Sequence, residues 1–174
     1  MFKKITVLFA MIATTSIAQA EGTYAGGAVN YLNINDANDA GFSIEGFVGM
    51  SLAEALRGEF ALSADQAEFG SKKVRMVDIF ANLYYDFKLE SKVNPYVLGG
   101  IGYGSAATGD WFSSSSRDGN LLGQVGAGIA FPVSKQVMLD FKYRYQFSSD
   151  YYLPNTRTFQ LTGHSLGLGF RYSF

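Results

Sequence analysis

The sequence predicts an all-β fold in which eight antiparallel strands close up-and-down into a transmembrane barrel, and three observations carry that prediction. First, residues 164–174 alternate strictly between large apolar and small or polar side chains. Leu166, Leu168, Phe170, Tyr172 and Phe174 share one face, and Ser165, Gly167, Gly169, Arg171 and Ser173 the other, which is the period of a strand. A free edge this apolar invites pairing with another chain, and closure of the sheet removes it. Second, seven more strand-like segments precede it, at residues 23–34, 41–50, 56–63, 74–87, 95–104, 120–131 and 137–147. Third, connections of 6, 10, 15 and 15 residues (35–40, 64–73, 105–119 and 148–162) alternate with connections of 5, 7 and 5 (51–55, 88–94 and 132–136). Long loops therefore gather at one rim and short turns at the other, as in a membrane barrel whose long loops face outside.

Residues 1–20 stand apart from this pattern. Lys3 and Lys4 precede an apolar run over 5–13, and Ala18-Gln19-Ala20 supplies a small-x-small cleavage site. A cleaved signal peptide is expected over 1–20, with the barrel domain over 21–174, because the run is far short of the ~20 residues a spanning helix needs. Without Lys3 and Lys4 there are 12 basic against 15 acidic residues, a balance of −3, which offers no footing for nucleic acid. The chain has no cysteine, so neither a disulfide framework nor a thiolate metal site is available after export. Abundant Gly, Tyr and Phe (20, 11 and 15 residues) beside 3 Pro suit many strands with few breaks.

The faces of the segment over 23–34 are ambiguous. In the next, Phe42, Ile44 and Val48 oppose Ser43 and Glu45; then Leu56, Phe60 and Leu62 oppose Arg57 and Glu59, and Val77, Ile79 and Leu83 oppose Asp78 and Asn82. Segments 95–104 and 120–131 place Gly100, Gly102, Gly126 and Gly128 on the small-residue face. The clearest strand is 137–147, where Val137, Leu139, Phe141, Tyr143, Tyr145 and Phe147 oppose Met138, Asp140, Lys142, Arg144 and Gln146.

A soluble barrel would bury the apolar face and a membrane barrel the polar one. Aromatics cluster toward both rims, Tyr103, Tyr145 and Phe147 at the long-loop end and Tyr85, Phe87, Phe131, Tyr172 and Phe174 at the other, as interfacial girdles do. The polar face is rich in Gly and Ser, which suits a crowded lumen. Its strand charges balance, with Arg57, Lys142, Arg144 and Arg171 against Glu45, Glu59, Asp78 and Asp140. An enclosed ion network is expected, joined by bulky Phe47, Phe80 and Tyr84, and it leaves little room for a water column.

The run Asn82-Leu83-Tyr84-Tyr85-Asp86-Phe87, the run Asn94-Pro95-Tyr96-Val97 leading into Gly99 to Gly104, the stretch Gly123 to Gly128 and the ending His164 to Phe174 resemble the bacterial outer-membrane β-barrel superfamily. That superfamily includes the transmembrane domain of outer-membrane protein A and the Opa-type opacity proteins, and the resemblance covers 21–174. It implies a barrel in the bacterial outer membrane, in contact with outer-membrane lipids and lipopolysaccharide. It also implies insertion by an assembly machinery that reads an aromatic C-terminal residue; Phe174 matches that position, with Tyr172 and Phe170 on the same stripe. No counterpart of the peptidoglycan-binding domain of full-length outer-membrane protein A is expected, nor is wall anchoring.

Little in the sequence points to chemistry. His164 is the single histidine and stands next to Ser165, but adjacent strand residues face opposite ways, so they cannot form a nucleophile and base pair. One His and no Cys make a poor metal site. The glycines of 99–104 precede no helix and so form no nucleotide loop. The expectation is a non-enzymatic protein without cofactor, structural or surface-interacting through its long loops. Within those loops Trp111, Phe112, Arg117, Tyr151, Tyr152 and Arg157 are of the types enriched at binding hot spots, and host-cell or extracellular ligands are the expected class of partner. A small passive pore is the second reading and a lipid-modifying enzyme the third.

Overall fold

The structure, a computed structural model, describes residues 22–35, 37, 40–69, 72–108, 117–151, 159–160 and 162–174. Seven long strands come first: β1 (Thr23–Ile34), β2 (Gly41–Ala53), β3 (Leu56–Phe69), β4 (Lys72–Asp86), β5 (Asn94–Thr108), β6 (Arg117–Pro132) and β7 (Val137–Ser148). Two short ones, β8 (Asp150–Tyr151) and β9 (Phe159–Gln160), pair with each other, and β10 (Gly163–Ser173) ends the chain. The barrel closes in the order β1-β10-β7-β6-β5-β4-β3-β2, with every pair antiparallel. Closure joins β1 to β10 from Tyr24 opposite Ser173 to Ile34 opposite Gly163, and the Phe174 N–H donates to the Thr23 carbonyl at 3.1 Å. No long strand keeps a free edge.

The wall sorts side chains as the alternation requires. Val29, Ile44, Phe60, Ile79, Ile101, Val125, Phe141 and Leu168 are exposed on the outside. Glu45, Arg57, Glu59, Asp78, Asp140, Lys142, Arg144 and Arg171 are all buried inside. In β1, Tyr24, Ala28, Asn30, Leu32 and Ile34 are buried while Val29 and Tyr31 are exposed. Its pattern is hard to read in sequence because apolar residues stand on both faces and Gly26-Gly27 interrupts them.

Several strands are longer than their sequence pattern suggests, and one expected loop is a correction. The stretch 64–73 reads as a polar connection, yet β3 runs to Phe69 and β4 starts at Lys72, with Asp65 opposite Met76 and Glu68 opposite Lys73. Its polar residues continue the same alternation, Asp65 and Ala67 buried inside and Glu68 paired with Lys73 outside at 3.5 Å. Likewise β5 extends to Thr108 and β6 starts at Arg117, so both ends of the connection expected over 105–119, residues 105–108 and 117–119, are strand, and 109–116 lie outside the described residues. At the turn rim β2 continues to Ala53, with a register shift between Ser51 and Ala53.

The interior is layered. Leu32, Ile34, Ala67, Val74, Met76, Ala106 and Leu122 are buried toward the loop rim and continue through Ala28, Phe47, Ala61 and Phe80 to Tyr24 near the turn rim, polar side chains lie among them in the middle, and Tyr84, Tyr96, Leu98 and Ala130 pack toward the turn rim with Met138. Inward glycines make room for these aromatics. A Cβ at Gly128 would lie 2.4 Å from the Tyr96 ring and 2.7 Å from the Phe141 carbonyl oxygen.

Candidate functional site

The densest polar constellation is the lumen itself, and it begins near the turn rim. Arg57 on β3 grips Asp86 at the end of β4 through Nε and Nη2, at 2.6 and 2.9 Å. Its Nη1 donates to the Tyr24 hydroxyl at 3.0 Å, and Tyr24 donates to Glu59 Oε2 at 3.2 Å. The guanidinium also lies 4.4 Å from the centre of the Tyr84 ring, a cation–π contact strengthened by the dry setting. Glu59 is held without a basic residue of its own: Tyr84 donates to Oε1 at 2.6 Å and Asn82 at 3.5 Å.

Higher in the barrel Glu45 on β2 is the hub. Lys142 Nζ donates to its Oε1 at 3.0 Å and Arg144 Nη1 to its Oε2 at 2.5 Å. Lys142 also reaches the Tyr84 hydroxyl at 3.4 Å, and Arg144 Nη2 reaches Asn30 at 3.0 Å. A ladder of amides climbs beside it, Gln146 to Gln124 at 3.4 Å and Gln124 to Asn82 at 2.6 Å. Separately, Arg171 Nε bonds Asp140 Oδ2 at 2.7 Å. Buried charges need such partners, since losing water without compensation is expensive.

All eight residues expected in this network face the lumen, but their pairing corrects the balance read from the strands. Arg57 pairs with Asp86 rather than with a mid-strand acid, and Asp65, expected in a loop, is a buried lumen acid. The charge balance of the strands leaves out Tyr24, Asn30, Asn82 and Gln124, which are buried inside and hydrogen-bonded into the network. Asn82 and Gln124 carry the same inward parity as Asp78 and Gly126, which is the signal that would have found them.

His164 is exposed on the outer wall, its Nδ1 2.6 Å from the Tyr143 hydroxyl and its ring stacked on Tyr143 with centroids 5.9 Å apart. Ser165 is 1% exposed and faces the lumen, so the wall separates the two. Phe170, Tyr172 and Phe174 lie exposed on the outer stripe of β10 and its end. At the turn rim Lys88 pairs with Glu54 of the neighbouring turn, and this contact holds the Glu54 carboxyl below the usual carboxylate range. Among the loop candidates Trp111, Phe112, Tyr152 and Arg157 lie outside the described residues; Arg117 begins β6 and Tyr151 ends β8. The expected signal peptide over 1–20 also lies outside them.

The family model for the outer membrane protein β-barrel domain matches residues 5–174. The chain belongs to the outer membrane protein β-barrel family. Membership places it in the bacterial outer membrane. A search of curated proteins finds no match to the chain. Among solved structures the barrel is similar to Neisserial surface protein A, at 23% identity over 87% of this chain and 96% of that one, with a TM-score of 0.69. It is also similar to Ail, the attachment invasion locus protein of Yersinia pestis, at 15% identity over 88% and 100% of the two chains, TM-score 0.51. The outer membrane enzyme PagL matches at 15% identity over 87% and 99%, TM-score 0.52. At these identities the likeness is one of fold, and a fold shared by such different proteins leaves function to the individual side chains.

Proposed function

We infer that this protein is a non-enzymatic outer-membrane barrel, structural and surface-interacting, which works through its extracellular rim rather than through its lumen. The observation that carries this reading is the hydrogen-bonded chain from Asp86 through Arg57, Tyr24, Glu59, Tyr84, Lys142 and Glu45 to Arg144, which crosses the interior from wall to wall. A lumen filled in this way leaves little room for a continuous water column, and its four bases are each committed to a carboxylate. What remains free to meet a partner is the loop rim, where the aromatic and Arg residues of 105–119 and 148–162 lie in the chain. The names of two similar proteins, a surface protein and an attachment invasion locus protein, agree with such a role.

Binding of labelled, refolded barrel to host cells and matrix components tests the reading, with segments 109–116 and 152–158 replaced by short Gly-Ser turns as the comparison. Binding that is lost with the segments supports it; no binding by the unaltered barrel, or binding indifferent to the replacement, overturns it. Planar-bilayer recordings separate the pore reading, since steady, large conductance from the unaltered barrel would put a pore in its place.

A further inference from the structure

The outer wall carries a notch near the turn rim. Between β2 and β4 lies an apolar groove of about 460 Å³, walled by Met50, Leu52, Phe60 and Leu83, all exposed on the outside. Its floor is Gly58. Met50 and Leu83 stand opposite Gly58 on its two sides, so the outward row at this level has side chains on β2 and β4 and none on β3. One row up, Phe60 stands between Val48 and Ala81, and the small Ala81 lets the depression continue diagonally onto β4. Other outward glycines are roofed, Gly119 by the Tyr103 ring and Gly123 by the Phe147 ring. At Gly58 the three atoms nearest to an added Cβ all belong to the Leu52 side chain, the closest at 3.1 Å.

The dimensions and the ends of the groove say what fills it. β2 and β4 are two strand spacings apart, about 9–10 Å. Once Met50 and Leu83 have taken their share, the gap admits one hydrocarbon chain but not a helix, whose diameter is about 10–12 Å. In hydrocarbon an unfilled notch forfeits van der Waals contacts along its walls, and a flexible chain is the occupant that follows a bent floor. Below Leu83, Tyr85 and Phe87 are exposed on the same face and mark the headgroup level. There Glu54, in the turn after β2, pairs with Lys88, beyond β4, across the end of β3. Both side chains are exposed, and an ion pair in that setting contributes little, so opening it toward other charges costs little.

We propose that this groove is a binding site for an aminophospholipid of the phosphatidylethanolamine class. One acyl chain lies over Gly58 toward Ala81, the headgroup phosphate meets Lys88 and the ammonium meets Glu54. The short turns of such barrels are periplasmic, so the leaflet that meets this groove is the phospholipid one. Lipid A joins several chains to one bulky sugar headgroup and does not thread a single-chain notch. A phosphatidylglycerol head satisfies Lys88 but brings no cation to Glu54, which then stands beside the phosphate as a like charge. The groove is of the size and apolar lining usual for small-ligand sites.

The test uses barrel refolded in lipid-free detergent and titrated separately with phosphatidylethanolamine, phosphatidylglycerol and lipid A, with native mass spectrometry as the readout. Retention of one phosphatidylethanolamine per barrel is expected, in preference to the other two. Gly58→Leu fills the floor by displacing the tip of Leu52 and should weaken that retention about tenfold or more. Ala127→Leu, on the outer face of β6, should leave it unchanged, and Glu54→Gln should erase the preference over phosphatidylglycerol. No retained phospholipid, or retention indifferent to Gly58→Leu, overturns the proposal. Equal retention of phosphatidylglycerol or a preference for lipid A by the unaltered barrel overturns it too, as does a dimer that Gly58→Leu dissociates, which would give the groove to a second copy. Phosphatidylethanolamine with a diazirine on its acyl chain, in vesicles holding the unaltered barrel, should label 48–60 and 81–83 in preference to Val125, Phe141 and Leu168. Even labelling of the wall overturns the site whether or not Gly58→Leu folds.

Discussion

Lys142 Nζ lies 3.0 Å from Glu45 Oε1 across the lumen, although the two residues are 97 positions apart in the chain. β7 and β2 are not neighbours, since β10 and β1 stand between them in the barrel. The contact therefore ties opposite parts of the wall through the interior, and Arg144 holds the other oxygen of the same carboxylate. Glu45→Ala leaves two cations buried without their acid and should lower the free energy of unfolding by about 3–5 kcal/mol. Urea unfolding of refolded barrel measures it. A loss no larger than that of an exposed ion pair would mean that water reaches these charges and that the lumen is open.

The glycines of the wall make a second, purely steric prediction. At Gly128 a new Cβ meets the Phe141 backbone oxygen as well as the Tyr96 ring, whereas at Gly99 its nearest neighbour is the Gln124 carbonyl oxygen at 4.0 Å. Gly128→Val should destabilise the barrel by about 1–3 kcal/mol through overpacking, and Gly99→Ala should be close to neutral. Thermal unfolding followed by the mobility shift on unboiled gels ranks the two, and equal effects would argue that the Tyr96 layer is loosely packed.

What was legible in the sequence follows from what alternation encodes. Period two in 137–147 and 164–174 determines which side chains share a face, and the aromatic rims with the crowded Gly and Ser face then choose the inside; that is enough to place Glu45, Lys142 and Arg171 in the lumen. Alternation carries no distances, however. Arg57 reaches Asp86 rather than a mid-strand acid because its long side chain points toward the turn rim, and nothing local in the sequence says so. Asp65 was hidden for a different reason: it lies in Ala64-Asp65-Gln66-Ala67-Glu68, whose polar composition reads as loop. There the strand continues past the apolar outer band, so both of its faces become polar and the contrast that marks a strand fades.

The face assignment can be tested by depth along the outer wall. Phe141 lies mid-strand on β7 and Phe42 near the loop-rim end of β2, and both are exposed outside. Phe141→Arg should cost about 2–4 kcal/mol, while Phe42→Arg near the interface should cost about 0–1. Unfolding of barrel reconstituted in lipid vesicles gives both values. Equal costs at the two depths would contradict a hydrocarbon band around the middle of β7.

The last prediction concerns Phe174, whose structural contribution is small enough to separate from a role in assembly. Its N–H closes one bond to the Thr23 carbonyl at 3.1 Å, and its ring meets Tyr172 edge-on with centroids 5.4 Å apart, leaving the residue 48% exposed on the outer wall. One such hydrogen bond contributes about 0.5–1.5 kcal/mol and one aromatic pair a similar amount. Deleting Phe174 should therefore leave a barrel that still refolds in detergent with a modest loss of stability. If the assembly machinery reads this residue, the amount inserted in cells should fall far more than that loss explains. Heat-modifiable bands in outer-membrane fractions, set beside the refolding yield of the same variant, separate the two effects. Normal insertion of the shortened chain would remove the signalling role, and parallel losses in cells and in detergent would make Phe174 a closure residue of the β1–β10 seam alone.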